Sequence, residues 1–176
     1  MRYVVIADDG ELHVKDGYWT DIEVLFRPEG WAGVRLHQAT PMQGFRGVVN
    51  DVGLLMPEKF PRNIVGSLVL IALQAGQQPY AGPVVITGFQ EPPNDDPDYT
   101  GLDDEQADLV TVLHADVKHA LAGEQPTRPE DWEDFGGWLV WATFVRQSAE
   151  ELRAMPTPGI TIVSGGNLRD FLGGRS

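Results

Sequence analysis

The chain has 176 residues, no cysteine, 42 % apolar residues and a net charge of −13. That length suits one domain or two small ones, and that apolar share supplies a core and excludes global disorder. The missing cysteine excludes disulfides, thiolate metal sites and thiol nucleophiles, and the charge balance excludes a general affinity for nucleic acid or an anionic membrane surface.

The first element reads as a hairpin. Apolar runs over 2–8 and 11–15 flank Asp9-Gly10, a pair suited to a two-residue turn in which both residues take positive φ. Acids follow the first run at once, so no secretory signal is expected. "WTDIEVLFRPEG" predicts a short helix capped by Thr20 or Asp21, with Ile22, Leu25 and Phe26 on one face and Pro28 and Gly30 at its end. In "AGVRLHQA", Val34 and Leu36 alternate with Arg35 and His37, the period of a half-buried strand.

"GVVNDVGLLM" reads as a second hairpin joining Gly47–Val49 to Leu54–Met56. Asn50 suits the first turn position, where its side chain bonds backbone amides two residues on, and Gly53 suits a left-handed closing position. In "FPRNIVGSLVLIALQAG", Pro61 and Gly76 favour a helix over 62–74, while the apolar run from Val69 to Leu73 also fits a central strand. That run is well short of the roughly 20 residues needed to span a bilayer, so a soluble, cytoplasmic protein is expected. "GPVVITGF", 82–89, is a β-branched run bounded by glycines and reads as a buried strand.

Composition changes at "QEPPNDDPDYTG", 90–101, a loop rich in proline and acids. Residues 102–123 follow as the best helix in the chain. Leu109, Leu113, Val117, Ala120 and Leu121 make an apolar stripe, Asp103, Asp104 and Glu105 sit at the positive dipole end, and Gly123 is a stop. "TRPEDWEDF" carries a capping box from Thr127 to Glu130. "GWLVWATFVR", 137–146, is apolar on both faces and predicts a strand covered on both sides. A helix begun by Ser148 and Glu151, a strand in "GITIVSGG" and a short helix capped by Asn167 complete the chain. These elements predict an α+β fold: a mainly antiparallel sheet with helices packed on one side and an N-terminal hairpin. Residues 1–90 form an N-terminal α+β module, 91–102 an acidic Pro-rich loop, and 103–176 a C-terminal helix and strand module, either separate from the first or one continuous domain with it.

Several site patterns are weighed and set aside. In 96–107, Asp96, Asp98 and Asp104 with Gly101 resemble a calcium loop, but Ala107 stands where the bidentate Glu belongs. His114 and His119 are five residues apart, not the four of a zinc-binding helix, and read as surface or helix-end histidines. Asp116 and His119 lack a third ligand. Ser67, Ser148 and Ser164 have no nucleophile elbow around them. Trp132, Trp138 and Trp141 default to core packing. No cofactor, metal site or catalytic residue is expected. Ser164, Gly165, Gly166 and Asn167 form a strand-to-helix turn whose amides could cradle an anion, the basis of an alternative small-molecule or nucleotide-binding role.

The charge is concentrated. Residues 91–134 hold fourteen acids against Lys118 and Arg128, a net charge of −12, and the rest of the chain sums to −1. A solvated acidic face accounts for such a run, but a field of this kind also attracts cationic partners. Asp95, Asp96, Asp98, Asp103, Asp104, Glu105, Asp108, Glu130, Asp131, Glu133 and Asp134 are therefore the candidate surface for a basic host protein, with a DNA mimic that occupies a DNA-binding protein's phosphate sites as the limiting case.

Residues 47–89 resemble an uncharacterised domain family of actinobacteria and their bacteriophages. The likeness rests on an Asn-x-x-Gly turn (Asn50, Gly53), a Pro-x-Asn step (Pro61, Asn63) and a glycine-bounded strand (Gly82, Val85, Gly88). The family has no established activity, so no catalytic residue carries over. The resemblance implies a setting, that of a small accessory protein of a phage or mobile element, and accessory proteins of that kind act by binding host proteins. The expectation from sequence is thus a non-enzymatic acidic binding protein.

Overall fold

The structure, a computed structural model, describes residues 1–27, 29–36, 44–90, 98–126 and 135–157. The N-terminal hairpin is present: β1 (Arg2–Ile6) pairs antiparallel with β2 (Leu12–Asp16). Its turn is longer than expected. The Gly10 N–H donates to the Ala7 carbonyl at 2.8 Å, and Gly10 (φ 82°) takes positive φ while Asp9 does not. The Asp9 carboxylate accepts the Glu11 N–H at 3.0 Å, a local bond that lets this residue serve the turn without the strained left-handed conformation.

Helix α1 (Trp19–Leu25) buries Ile22 and, at its end, Phe26, as the spacing required. Its N-cap is Tyr18, not Thr20 or Asp21. Asp21 lies in the first turn and accepts the Tyr18 N–H at 2.7 Å, the reaching-back half of a capping box. β3 (Trp31–Arg35) and β4 (Gly44–Asn50) then pair antiparallel, with Arg35 opposite Arg46 and Trp31 opposite Asn50.

The second expected hairpin is absent. After β4 the chain turns through a short 3₁₀ helix, Gly53–Leu55, and does not return as a strand. Asn50 does make the expected side-chain turn, accepting the Val52 N–H at 3.0 Å. Gly53 is needed for space and not for a left-handed backbone: a Cβ there would stand 2.8 Å from the Ala81 carbonyl oxygen. β4 instead pairs with β5 (Val84–Gln90), which also pairs with β1 and with β6 (Asp98–Thr100). Among the described residues the result is a six-stranded antiparallel sheet in the order β2-β1-β5-β4-β3, with β6 beside β5.

The ambiguous segment is a helix, α2 (Ile64–Ala72). Asn63 fixes its start. Its side-chain oxygen accepts the Gly66 N–H at 2.8 Å, and its amide nitrogen donates to the carbonyls of Ile6, Ala7 and Gly82 at 3.0 to 3.1 Å. One buried amide thus ties α2 to β1 and to the chain entering β5.

α3 (Asp104–Ala122) follows β6, capped by Asp103 and closed by left-handed Gly123. Its buried face runs through Ala107, Val110, His114, Val117 and Ala120, so the stripe is rotated from the one expected, and Leu109 is 46 % exposed. α4 (Phe135–Ala154) corrects two expectations at once. Residues 137–146 are helix, not strand, and Ser148 lies buried inside that helix instead of starting a new one. Trp138, Ala142, Val145, Ala149 and Leu152 are buried at helical spacing. The expected helical turn at Thr127–Glu130, the strand in 159–166 and the Asn167 helix lie outside the described residues.

Alternation in the strands divides the core. Val4, Ile6, Val49, Val84 and Ile86 face α2, α3 and α4 in one cluster, while Tyr3, Val5, Val48 and Val85 face Ile22 and Phe26 of α1 on the other side. Among the described residues α2, α3 and α4 therefore share one face, and α1 covers part of the opposite one. Among the described residues no helix is long and apolar enough to cross a membrane.

Candidate functional site

The acids expected to act together do not all meet. Asp103, Asp104, Glu105 and Asp108 are exposed at the N-terminal end of α3. Asp116 is 3 % exposed and hence not on that surface. Glu124 is exposed beyond the other end of the helix, about 24 Å from Asp108 at 1.5 Å per residue. Asp98 takes part in β6 opposite Gln90, five residues ahead of Asp103. Asp95, Asp96, Glu130, Asp131, Glu133 and Asp134 lie outside the described residues, as do Ser164, Gly165, Gly166 and Asn167 of the alternative anion turn.

At the acidic end itself the carboxylates differ in what they do. Asp103 accepts the Gln106 N–H at 2.8 Å, and the Gln106 side chain accepts the Asp103 N–H at 3.1 Å, a full capping box. Asp104 pairs with Arg2, whose Nε also lies 3.7 Å from Asp16. The hydrogen bond to Asp104 and the charges of Asp104 and Asp16 raise the Arg2 guanidinium above its ordinary value. Glu105 and Asp108 make no ion pair among the described residues, although the charge of Asp108 also reaches Arg2, and exposed Leu109 follows them directly. The surface is a short patch of exposed carboxylates beside one apolar side chain. No family model, curated protein or solved structure matches this chain.

The histidines separate. His114 is buried in α3 with its Nε2 2.7 Å from the Gly10 carbonyl oxygen, joining that helix to the β1–β2 turn. Burial lowers its pKa most; the Gly10 carbonyl raises it, nearby Lys118 lowers it, and Glu11 raises it. The reading of His114 as a surface histidine is thus corrected, because α3 packs against that turn. Among the described residues no three acids or histidines are placed to hold a metal. Trp138 and Trp141 stack at 5.3 Å, with Trp138 in the core.

Two further features escaped the sequence. A cleft of about 400 Å³ opens where β3 and β4 meet the 76–81 loop, lined by Val34, Asn50, Leu54 and Tyr80 among others. Arg46 stands in β4 on the α1 side of the sheet, in the row Arg35–Arg46–Thr87 across β3, β4 and β5. Its guanidinium lies 4.9 Å from the Phe89 ring centroid. The signal available in sequence was a single arginine inside "GFRGVVN", the one charged residue of that strand, and alternation alone assigned it no face.

Proposed function

We propose that this chain is a non-enzymatic binding protein whose acidic α3 end receives a basic, apolar-bearing segment of a protein partner. One observation carries the reading: Glu105 and Asp108 are exposed and make no ion pair among the described residues, and both lie within the turn of α3 that leads to exposed Leu109. Free carboxylates attract a cationic segment and set its approach, and the leucine supplies the area that excludes water. Asp104 is engaged with Arg2, so it anchors the helix end to β1 in place of contributing a free charge. The wider surface, and the DNA-mimic form of it, draws on the acids of 91–97 and 127–134, outside the described residues. The setting, a phage or mobile element within a host cytoplasm, rests on the resemblance of residues 47–89.

The test is a fluorescence-anisotropy titration with a labelled basic peptide carrying alternate lysine and leucine. The Glu105→Gln, Asp108→Asn double variant keeps the helix and removes both charges. At about 0.2–1 kcal/mol for each exposed pair, its affinity should fall roughly 2- to 30-fold, and the wild-type affinity should weaken further with added salt. Unchanged binding by the double variant removes the acidic end from the function.

A further inference from the structure

Small-molecule sites are concave, mostly apolar and pre-formed, with a few polar groups at set places. The cleft between β3, the end of β4 and the 76–81 loop has that form. Its volume of about 400 Å³ lies within the roughly 300–1,000 Å³ of such sites. The walls are apolar. Alternation puts Ala32 and Val34 of β3 on the helix side of the sheet, with Val49 of β4 opposite Ala32. Leu54 of the 3₁₀ turn, Pro79 and Tyr80 complete them. Small residues leave the space: Ala32, Gly76 and Ala81 line it, and a Cβ added at Gly76 would meet nothing within 4 Å.

The loop wall is held in place by the rest of the chain. The Tyr80 N–H donates to the Ser67 hydroxyl oxygen at 2.9 Å, and the Tyr80 carbonyl accepts the Asn63 N–H at 2.9 Å. The Gly82 N–H donates to the Pro61 carbonyl at 3.0 Å, and the Ala75 N–H to the Leu70 carbonyl at 2.8 Å. A wall already ordered costs a ligand little to meet. The reachable polar groups are acceptors. Asp51 is exposed and is the one charged residue among those that line the cleft. Gln78, also exposed, donates its side-chain nitrogen to the Tyr80 hydroxyl at 2.8 Å, which orients the amide and leaves its carbonyl oxygen for an incoming donor. Asn50 adds wall alone, since its side-chain oxygen accepts the Val52 N–H and its nitrogen is out of reach of solvent.

We propose that this cleft binds a small organic cation, an amidinium or primary ammonium on an apolar body. The body lies between β3 and the 76–81 loop, and the charged head meets Asp51 and the Gln78 oxygen. Such a head carries only donors, and a carboxylate and an amide oxygen are acceptors, so the two match in charge and in hydrogen-bonding sense. An anion of the same size would bring like charge to Asp51.

Benzamidine is the probe, followed by calorimetry and by the backbone amides of 76–81 and the Gln78 side-chain amide in proton–nitrogen NMR spectra. Wild-type protein should bind it saturably at about millimolar concentration or below, with those amides shifting. Asp51→Asn should weaken binding about two- to fivefold, as loss of an exposed charge pair implies. Ala32→Leu should fill the cleft and weaken binding about tenfold or more. Should Ala32→Leu fold poorly, Asp51→Asn, at an exposed side chain, keeps the test decisive. Benzoate, with the same ring and the opposite charge, should bind more weakly than benzamidine. The Glu105→Gln, Asp108→Asn double variant should bind benzamidine as the wild type does, which separates this cleft from the acidic end of α3. Absence of saturable benzamidine binding overturns the proposal. So does unchanged affinity in Asp51→Asn or in folded Ala32→Leu, and so does benzoate binding as tightly as benzamidine. Loss of binding in the double variant overturns it too, since the cation would then be held at α3.

Discussion

At the scale of the residue, buried polar side chains decide more here than the exposed charges that dominate the composition. Asn63 and His114 each bond backbone carbonyls of distant segments. The sequence offered no means of finding either role, since a side chain's partner tens of residues away is not encoded in local pattern. His114 also sets a pH dependence. Its folded pKa lies below the ordinary value of 6.5, so below that pH the unfolded chain binds a proton that the folded chain resists. The stability it contributes is complete above about 6.5 and is lost as the pH falls from there toward the folded value. Urea unfolding should therefore show a midpoint that drops between pH 7 and 5.5 in the wild type and drops less in His114→Gln, which keeps a donor for Gly10. An identical slope in the variant would assign the dependence to other groups.

At the scale of the element, helices with distinct ends and strands with strict alternation were legible, and the apolar stretch 137–146 was not. Trp138, Val140, Ala142 and Phe144 alternate as a strand does, and their neighbours are apolar as well, so period alone favoured a sheet. What selects the helix is the longer stripe from Trp138 to Leu152, which only a helix can lay against α2 and α3. The same packing turns Val140 and Phe144 outward, 73 % and 47 % exposed. The far end of α4 is held by Arg62, whose guanidinium donates to the carbonyls of Leu152 at 2.7 Å and Arg153 at 2.9 Å. A cation on the last carbonyls both caps them and meets the negative dipole end. Arg62→Ala should cost about 1–2 kcal/mol in denaturant unfolding and speed amide exchange in the last turn of α4. Normal protection there would show that the cap is dispensable.

At the scale of the whole molecule, the larger core cluster takes residues from β1, β4, β5 and all of α2, α3 and α4, on both sides of the acidic loop. Heat unfolding should accordingly be one transition with equal calorimetric and van't Hoff enthalpies; two resolved transitions would separate the modules. Sequence alone determined the class of fold, the first hairpin, α1, β5 and the limits of α3, because turn residues, caps and apolar period act over a few neighbours. Tertiary structure decided the rest: that β4 pairs with β5 and not with a return strand, that α4 is one helix, and that the acids of 103–124 are divided between a surface patch, a buried position and a far helix end. It also brought Arg46 and Thr87 together from strands forty residues apart. Each of these depends on which segments meet across the sheet, and strand pairing and helix docking are settled by burial of the whole core at once.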